Sequence, residues 1–183
     1  MYSAEFLDKF KVVFETISGT NTVENSKIEK MANMLYALKT KGGRLFILGN
    51  GGSAANASHA VNDFRKLCSI EAYSPVDNVS ELTARANDED WAYTFSGWLY
   101  GSKFKKSDAV LILSVGGGNV NVSKNLVQAC LYARKIDAKV LSIVGKDGGY
   151  VKENSDCCIL IPEVYPELVT PITEAMQSVL LHL

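Results

Sequence analysis

Histidine is almost absent from this chain, with two in 183 residues, His59 and His182. Any proton-transfer or metal chemistry that needs imidazole has only these two rings to use. Cysteine is sparse as well. The four thiols, Cys68, Cys130, Cys157 and Cys158, contain no C-x-x-C pair. They read as reduced, mostly buried thiols of a cytoplasmic protein. Charge of one sign is also lacking: the net charge of −1 gives no reason to expect nucleic acid, which usually leaves a basic stripe or patch. No apolar run approaches bilayer length, so no membrane span is expected. The opening MYSAEFLDKF alternates charge with apolar residues and predicts no signal peptide. Low-complexity linkers and solenoid-period repeats are missing too. With 47% hydrophobic and 21% charged residues, 183 positions suit one substantial core and are too few for two ordinary domains.

What is present alternates. Phe6, Phe10, Val13 and Ile17 recur at helical spacing until SGTN (18–21) breaks the pattern. A second stripe, Ile28, Met31, Leu35 and Leu38, ends at Lys41-Gly42-Gly43. These two helices (1–42) must bury their stripes on the sheet, on each other or on another subunit. From Arg44 onward, apolar strand-like runs at 45–48, 109–115, 139–145 and 157–162 alternate with helical segments near 53–68, 79–86, 91–100, 120–135 and 171–182. A weaker strand signal lies in IEAYSPVDN. Nearly continuous apolar strands alternating with helices predict an α/β fold, one three-layer domain over 1–183 with a parallel sheet covered on both faces.

Two predicted strands end in glycine-rich turns that open helices: Gly49-Asn50-Gly51-Gly52-Ser53 and Ser114-Val115-Gly116-Gly117-Gly118-Asn119. Glycine lets backbone approach a ligand closely, and the free N–H groups of a helix's first turn favour an anion. Each turn alone is also an ordinary βα connection with Ser53 or Asn119 as N-cap. Two at the same edge of one small domain point to a phosphate site, to which Ser53, Ser114, Asn119 and Ser123 could add hydrogen bonds. Gly49-x-Gly51-x-x-Ala54 also fits the G-x-G-x-x-A dinucleotide pattern. That pattern begins here after two helices, and no second domain remains for a hydride acceptor, so a monophosphate on a small sugar is preferred.

Asp63 follows His59 by four residues and so shares its helix face. Glu174 precedes His182 by eight, a little over two turns, and shares its face as well. The four make a tetrahedral ligand set for zinc or another divalent ion, or a general acid–base pair. The plainer alternatives are a surface His–Asp contact and a His182 that closes a helix end near Ser178. Trp91, Phe95 and Trp98, at helical spacing, read as core or subunit interface.

GNGGSAANASHAVNDF (49–64), LSVGGGN and VGKDGG (144–149) together resemble sugar-isomerase (SIS) domains of the phosphoheptose isomerase group. The resemblance covers almost the whole chain. It implies a five-stranded parallel sheet of flavodoxin-like topology and a homotetramer with active sites shared between subunits. The implied reaction converts sedoheptulose 7-phosphate to an aldoheptose 7-phosphate, feeding heptose synthesis for surface polysaccharide. It also implies a divalent metal, commonly zinc, held by His and Glu on the first helix after the sheet begins and by Gln and His on the last. Those positions fall on His59, Asp63, Glu174 and His182, with Asp63 as base and His182 as acid. The phosphate serines fall on Ser53 and Ser114, and the glycine turns add Asn50, Gly51, Gly52, Gly116, Gly117 and Asn119. Asn87 and Asp88 are secondary candidates for substrate hydroxyls.

The departures from the family pattern are Asp63 for Glu, Glu174 for Gln, and Gly116 and Asn119 at hydroxyl positions of the second turn. A second branch of the family binds a replication initiator and is non-catalytic. It shares the run at 53–59 but lacks the carboxylate four residues after the histidine. Asp63 therefore favours the enzyme over a phosphosugar-binding regulator.

Overall fold

The computed structural model of the chain describes residues 2–19 and 23–183. Its elements run α1 (Tyr2–Ser18), α2 (Val23–Thr40), β1 (Leu45–Gly49), α3 (Gly52–Lys66), β2 (Ala72–Tyr73), α4 (Val79–Asp88), α5 (Thr94–Gly101), β3 (Ala109–Ser114), α6 (Lys124–Lys135), β4 (Lys139–Val144), α7 (Gly149–Glu153), β5 (Cys157–Leu160) and α8 (Val169–Leu180). Short 3-10 turns at Trp91–Tyr93 and Pro166–Leu168 lead into α5 and α8. The expected break at 18–21 falls partly outside the described residues, at 20 and 21.

All five strands are parallel, in the order β2-β1-β3-β4-β5. This is the flavodoxin-like order, with its reversal between β1 and β3. Gly49 ends β1 and Ser114 ends β3, so the two glycine turns flank the switch point at the carboxyl edge.

Period-two alternation divides the core. Leu45, Ile47, Leu111, Leu113, Leu141 and Ile143 face one side with Met31, Phe64 and Met176, while Phe46, Leu48, Val110, Ile112 and Val140 face the other with Phe95, Trp98 and Leu126. Both stripes of the leading helices, from Phe10 and Val13 to Met31 and Leu38, join the first cluster, so they bury themselves on the sheet. Phe95 and Trp98 are core, as their spacing suggested, whereas Trp91 and Tyr93 are exposed.

Three differences from the sequence reading have local causes. The α6 helix starts at Lys124 rather than near 120, because Asn119 Oδ1 accepts the Asn121 and Val122 N–H groups and folds a turn of its own. The β2 strand is only two residues long. The α7 helix, five residues long, is too short to show a periodicity.

Candidate active site

The α3 and α8 helices lie side by side and in the same direction, which makes a polar seam. Nearest their N-termini, the Glu174 carboxylate lies over Gly52, where a Cβ would overlap all three of its terminal atoms. Here glycine is required by close approach rather than by backbone conformation. One turn on, Gln177 is fully buried. Its Oε1 accepts from Ser53 Oγ (2.9 Å) and Asn56 Nδ2 (3.3 Å), and its Nε2 donates to Ile143 O (3.2 Å). Asn56 Nδ2 also donates to Glu174 O at 2.9 Å. At the far end, His182 meets His59 and Asp63.

Asp63 Oδ2 is 3.1 Å from His59 Nε2 and 3.3 Å from His182 Nε2. The two imidazole centroids are 5.6 Å apart. Asn62 Nδ2 donates to Asp63 Oδ1 at 3.0 Å, but buried Oδ2 receives no hydrogen bond of acceptable geometry. Proximity without a bond is informative here. His182 Nδ1 lies 2.7 Å from Ser178 O, and a carbonyl can only accept, so Nδ1 carries the proton. In the neutral ring, Nε2 is then a bare lone pair facing a carboxylate oxygen. Two acceptors in that arrangement repel unless a shared proton or a cation lies between them.

A divalent ion fits this donor set. The three ligand atoms all lie within 4.8 Å of one another. Zinc in a tetrahedral N/O site has bonds of about 2.0 Å, hence donor–donor edges of about 3.3 Å. The observed 3.1 and 3.3 Å match two such edges. The Ser178 carbonyl supplies the outer bond that fixes a ligating ring in its tautomer. The helix-end reading of His182 and the ligand reading are therefore one geometry. Glu174, the fourth expected member, is outside this cluster, since its carboxylate is at the head of α3.

The other expected residues divide in the same way. Asn50 and Asn125 exchange both amide hydrogen bonds, each 2.9 Å, and so tie the first turn to α6. Ser53 Oγ, buried, spends its proton on Gln177. Ser114 Oγ accepts from Gly117 N at 3.0 Å. Gly117 has φ +66°, and a Cβ there would overlap Gly148 O. The second turn is braced by the first turn of α7, where Tyr150 N and Val151 N donate to Gly118 O and Gly117 O. Gly51 and Gly52 begin α3, which has no side-chain cap. Gly116 is half-buried and Asn119 exposed beside them. Asn87 and Asp88, exposed at the end of α4, bond to each other at 2.8 Å.

Gln177, Asn56 and Asn125 escaped the sequence reading. Their only signal there is polarity on an otherwise apolar helix face: Gln177 and Asn125 sit among Met176, Leu180, Leu126 and Ala129, all buried.

A family model described as "SIS domain" matches residues 5–145. The chain is 30% identical over 159 residues to a probable phosphoheptose isomerase of Thermoplasma volcanium, covering 84% of this chain and 77% of that one. It is 27% identical over 184 residues to a phosphoheptose isomerase of Helicobacter pylori, covering 98% and 89%. Among solved structures, phosphoheptose isomerase from Neisseria gonorrhoeae superposes with a TM-score of 0.83 at 21% identity, over 100% of this chain and 96% of that one, a likeness of fold.

Proposed function

This chain belongs to the SIS-domain family, and on that premise we propose that it is a phosphosugar ketose–aldose isomerase acting on sedoheptulose 7-phosphate. The names of its relatives support this reading. The observation that carries it is the buried Asp63 Oδ2, without a hydrogen bond and facing two imidazole nitrogens.

Aldose–ketose exchange moves a proton between adjacent carbons through an enediol. It needs a base for the carbon-bound proton and a donor at the carbonyl oxygen. Asp63 is the base: Asn62 holds Oδ1, and Oδ2 keeps a lone pair for the substrate proton. His182 is the acid: Ser178 O holds Nδ1–H, and in the imidazolium form Nε2–H faces the reacting oxygen. Side-chain exposures of 59% for His59 and 49% for His182, against 18% for Asp63, give substrate access to the imidazoles while keeping the carboxylate sheltered. His59, Asp63 and His182 would hold a divalent ion, zinc by donor type, without Glu174, whose carboxylate lies at the other end of the seam. Such an ion, when bound, would occupy the Asp63 Oδ2 and His182 Nε2 lone pairs, so its Lewis-acid polarisation of the carbonyl would replace the His182 proton and Asp63 Oδ1 would be the basic oxygen. The second glycine turn, with Ser114, holds the phosphate; the first, whose Ser53 hydroxyl is committed to Gln177, faces the sugar, and Asn87 and Asp88 take sugar hydroxyls.

The whole of 1–183 is read as one SIS domain that assembles as a cytoplasmic homotetramer with shared active sites. Two features support assembly: His182 follows the last turn of α8 half exposed, and α4 buries no side chain within one protomer. Among the described residues, no helix is long and apolar enough to cross a membrane.

The test is an NMR assay of the metal-replete protein with sedoheptulose 7-phosphate, following the aldose anomeric proton beside an EDTA-treated sample. Turnover lost with the metal supports both the isomerase and the metal site. Turnover that survives EDTA keeps the enzyme and removes the ion. No turnover in either sample overturns the substrate assignment.

A further inference from the structure

The two glycine turns are electrostatically unlike. The first, at 49–53, lies under a carboxylate: Glu174 covers Gly52, half-buried, with no cation paired to it among the described residues. Its one hydroxyl, Ser53 Oγ, has already given its proton to Gln177. A phosphate dianion brought here meets a negative charge, and the Ser53 hydroxyl proton is not available to it.

The second turn, at 114–118, presents the opposite case. Ser114 Oγ accepts from Gly117 N and so still has its own proton to donate. The Lys146 stem runs along this turn, with Cδ 3.7 Å from the point where a Cβ on residue 116 would lie. Lys146 is exposed, and among the described residues its ammonium has no carboxylate within ion-pair distance. Neighbouring Asp147 engages a carboxylate oxygen with Gly149 N at 3.1 Å, and Lys152 Nζ is held on Asp147 O at 3.1 Å. Lys146 is therefore an uncommitted cation whose stem contacts Gly116; Lys124, also exposed and without an ion pair among the described residues, lines the groove that holds Gly116 and Asn119. Lys146 also adopts φ +53°, which a non-glycine residue keeps only where its surroundings hold it there.

We propose that Lys146 is the counter-ion that fixes the substrate phosphate over the second turn. Sugar hydroxyls, which can donate to a carboxylate, are then left to the Glu174 side. The inference rests on the phosphosugar reading above and divides its binding work between the two turns.

The test measures inorganic phosphate binding to the full chain by titration calorimetry, with KM and kcat for sedoheptulose 7-phosphate alongside. A charge-assisted contact is worth enough that Lys146→Ala should weaken phosphate binding by about tenfold or more. KM should rise by a similar factor while kcat stays near wild type. Lys146→Arg should recover most of the binding, and Lys146→Asn, which tolerates the local φ, should fail like the alanine variant and so exclude a folding artefact. Glu174→Gln should alter phosphate affinity by less than about threefold, because the dianion does not sit beside it. The proposal is overturned if Lys146→Ala binds phosphate within twofold of wild type, if Glu174→Gln tightens binding tenfold, or if wild type binds no phosphate. Phosphate binding that follows Lys146 in a protein without isomerase activity would sustain this proposal while removing the catalytic one.

Discussion

Replacing Gln177 by methionine separates the seam between α3 and α8 from the chemistry at its end. The two side chains have similar volume, so packing is nearly kept, while every polar contact of the amide is lost. Ser53 Oγ (2.9 Å), Asn56 Nδ2 (3.3 Å) and Ile143 O (3.2 Å) each lose a partner. Asn56 keeps its bond to Glu174 O and Ile143 O keeps its place in the β3–β4 ladder, which leaves the fully buried Ser53 hydroxyl newly unsatisfied. At about 1–3 kcal/mol for a buried unsatisfied group, the variant should lose about 1–3 kcal/mol. For a domain of this size that lowers Tm by roughly 2–12 °C. His182 follows Gln177 on the same helix, so a loosened seam also misplaces its ring against Asp63. A misplacement of about 1 Å costs up to ~100-fold in rate, and kcat should fall at least ~10-fold. Urea unfolding and steady-state kinetics read the two effects separately. A cycle with Ser53→Ala should show coupling of about 0.5–3 kcal/mol between the two positions. Unfolding within about 0.5 kcal/mol of wild type together with unchanged kcat would refute the idea that this amide holds the site together.

Asp63→Ala should abolish isomerisation, leave assembly intact by light scattering, and weaken zinc binding in equilibrium dialysis by at least ~10-fold. Unchanged turnover would remove Asp63 from the base role. At the opposite sheet edge, buried Asp108 accepts from Arg44 Nη2 (2.7 Å), Arg44 N (3.0 Å) and Lys105 N (3.0 Å), tying the starts of β1 and β3. Asp108→Ala should therefore cost about 2–4 kcal/mol in urea unfolding by leaving the Arg44 and Lys105 N–H groups without their acceptor. Acid should also destabilise the fold through Asp156. Burial by itself would raise its carboxyl, but the Lys139 bond, the Val140 N–H and the charges of Lys139 and Arg134 outweigh that and hold it below its ordinary value. A depressed folded-state value stabilises the protein above the unfolded carboxylate value of about 4, and that stability is lost as pH falls through the folded value. Asp156→Asn should flatten the acid limb of a stability–pH curve, and an unaltered limb would contradict the assignment.

The sequence by itself determined whatever depends on near neighbours. Strand runs such as 45–48 and 109–115 announce themselves because both sheet faces are buried, and the leading stripes because a helix repeats every 3.6 residues. The glycine turns are legible for a similar reason, since a strand that stops in glycine and restarts as a helix needs no distant partner to be recognised. His59 and Asp63 are paired by a spacing of four within one helix. His182 stood out through the scarcity of its kind.

Only the tertiary structure decided which side chains meet across elements. Asn50 finds Asn125 across 75 positions, and Ser53 finds Gln177 across 124. Those partnerships depend on how far α6 and α8 slide along the sheet, which no local pattern encodes. The same axial register places His182 beside Asp63 and carries Glu174 to Gly52, although both belong to one helix face. A spacing of eight residues puts two side chains on one face but about 12 Å apart along it, so a shared face does not by itself make a shared site.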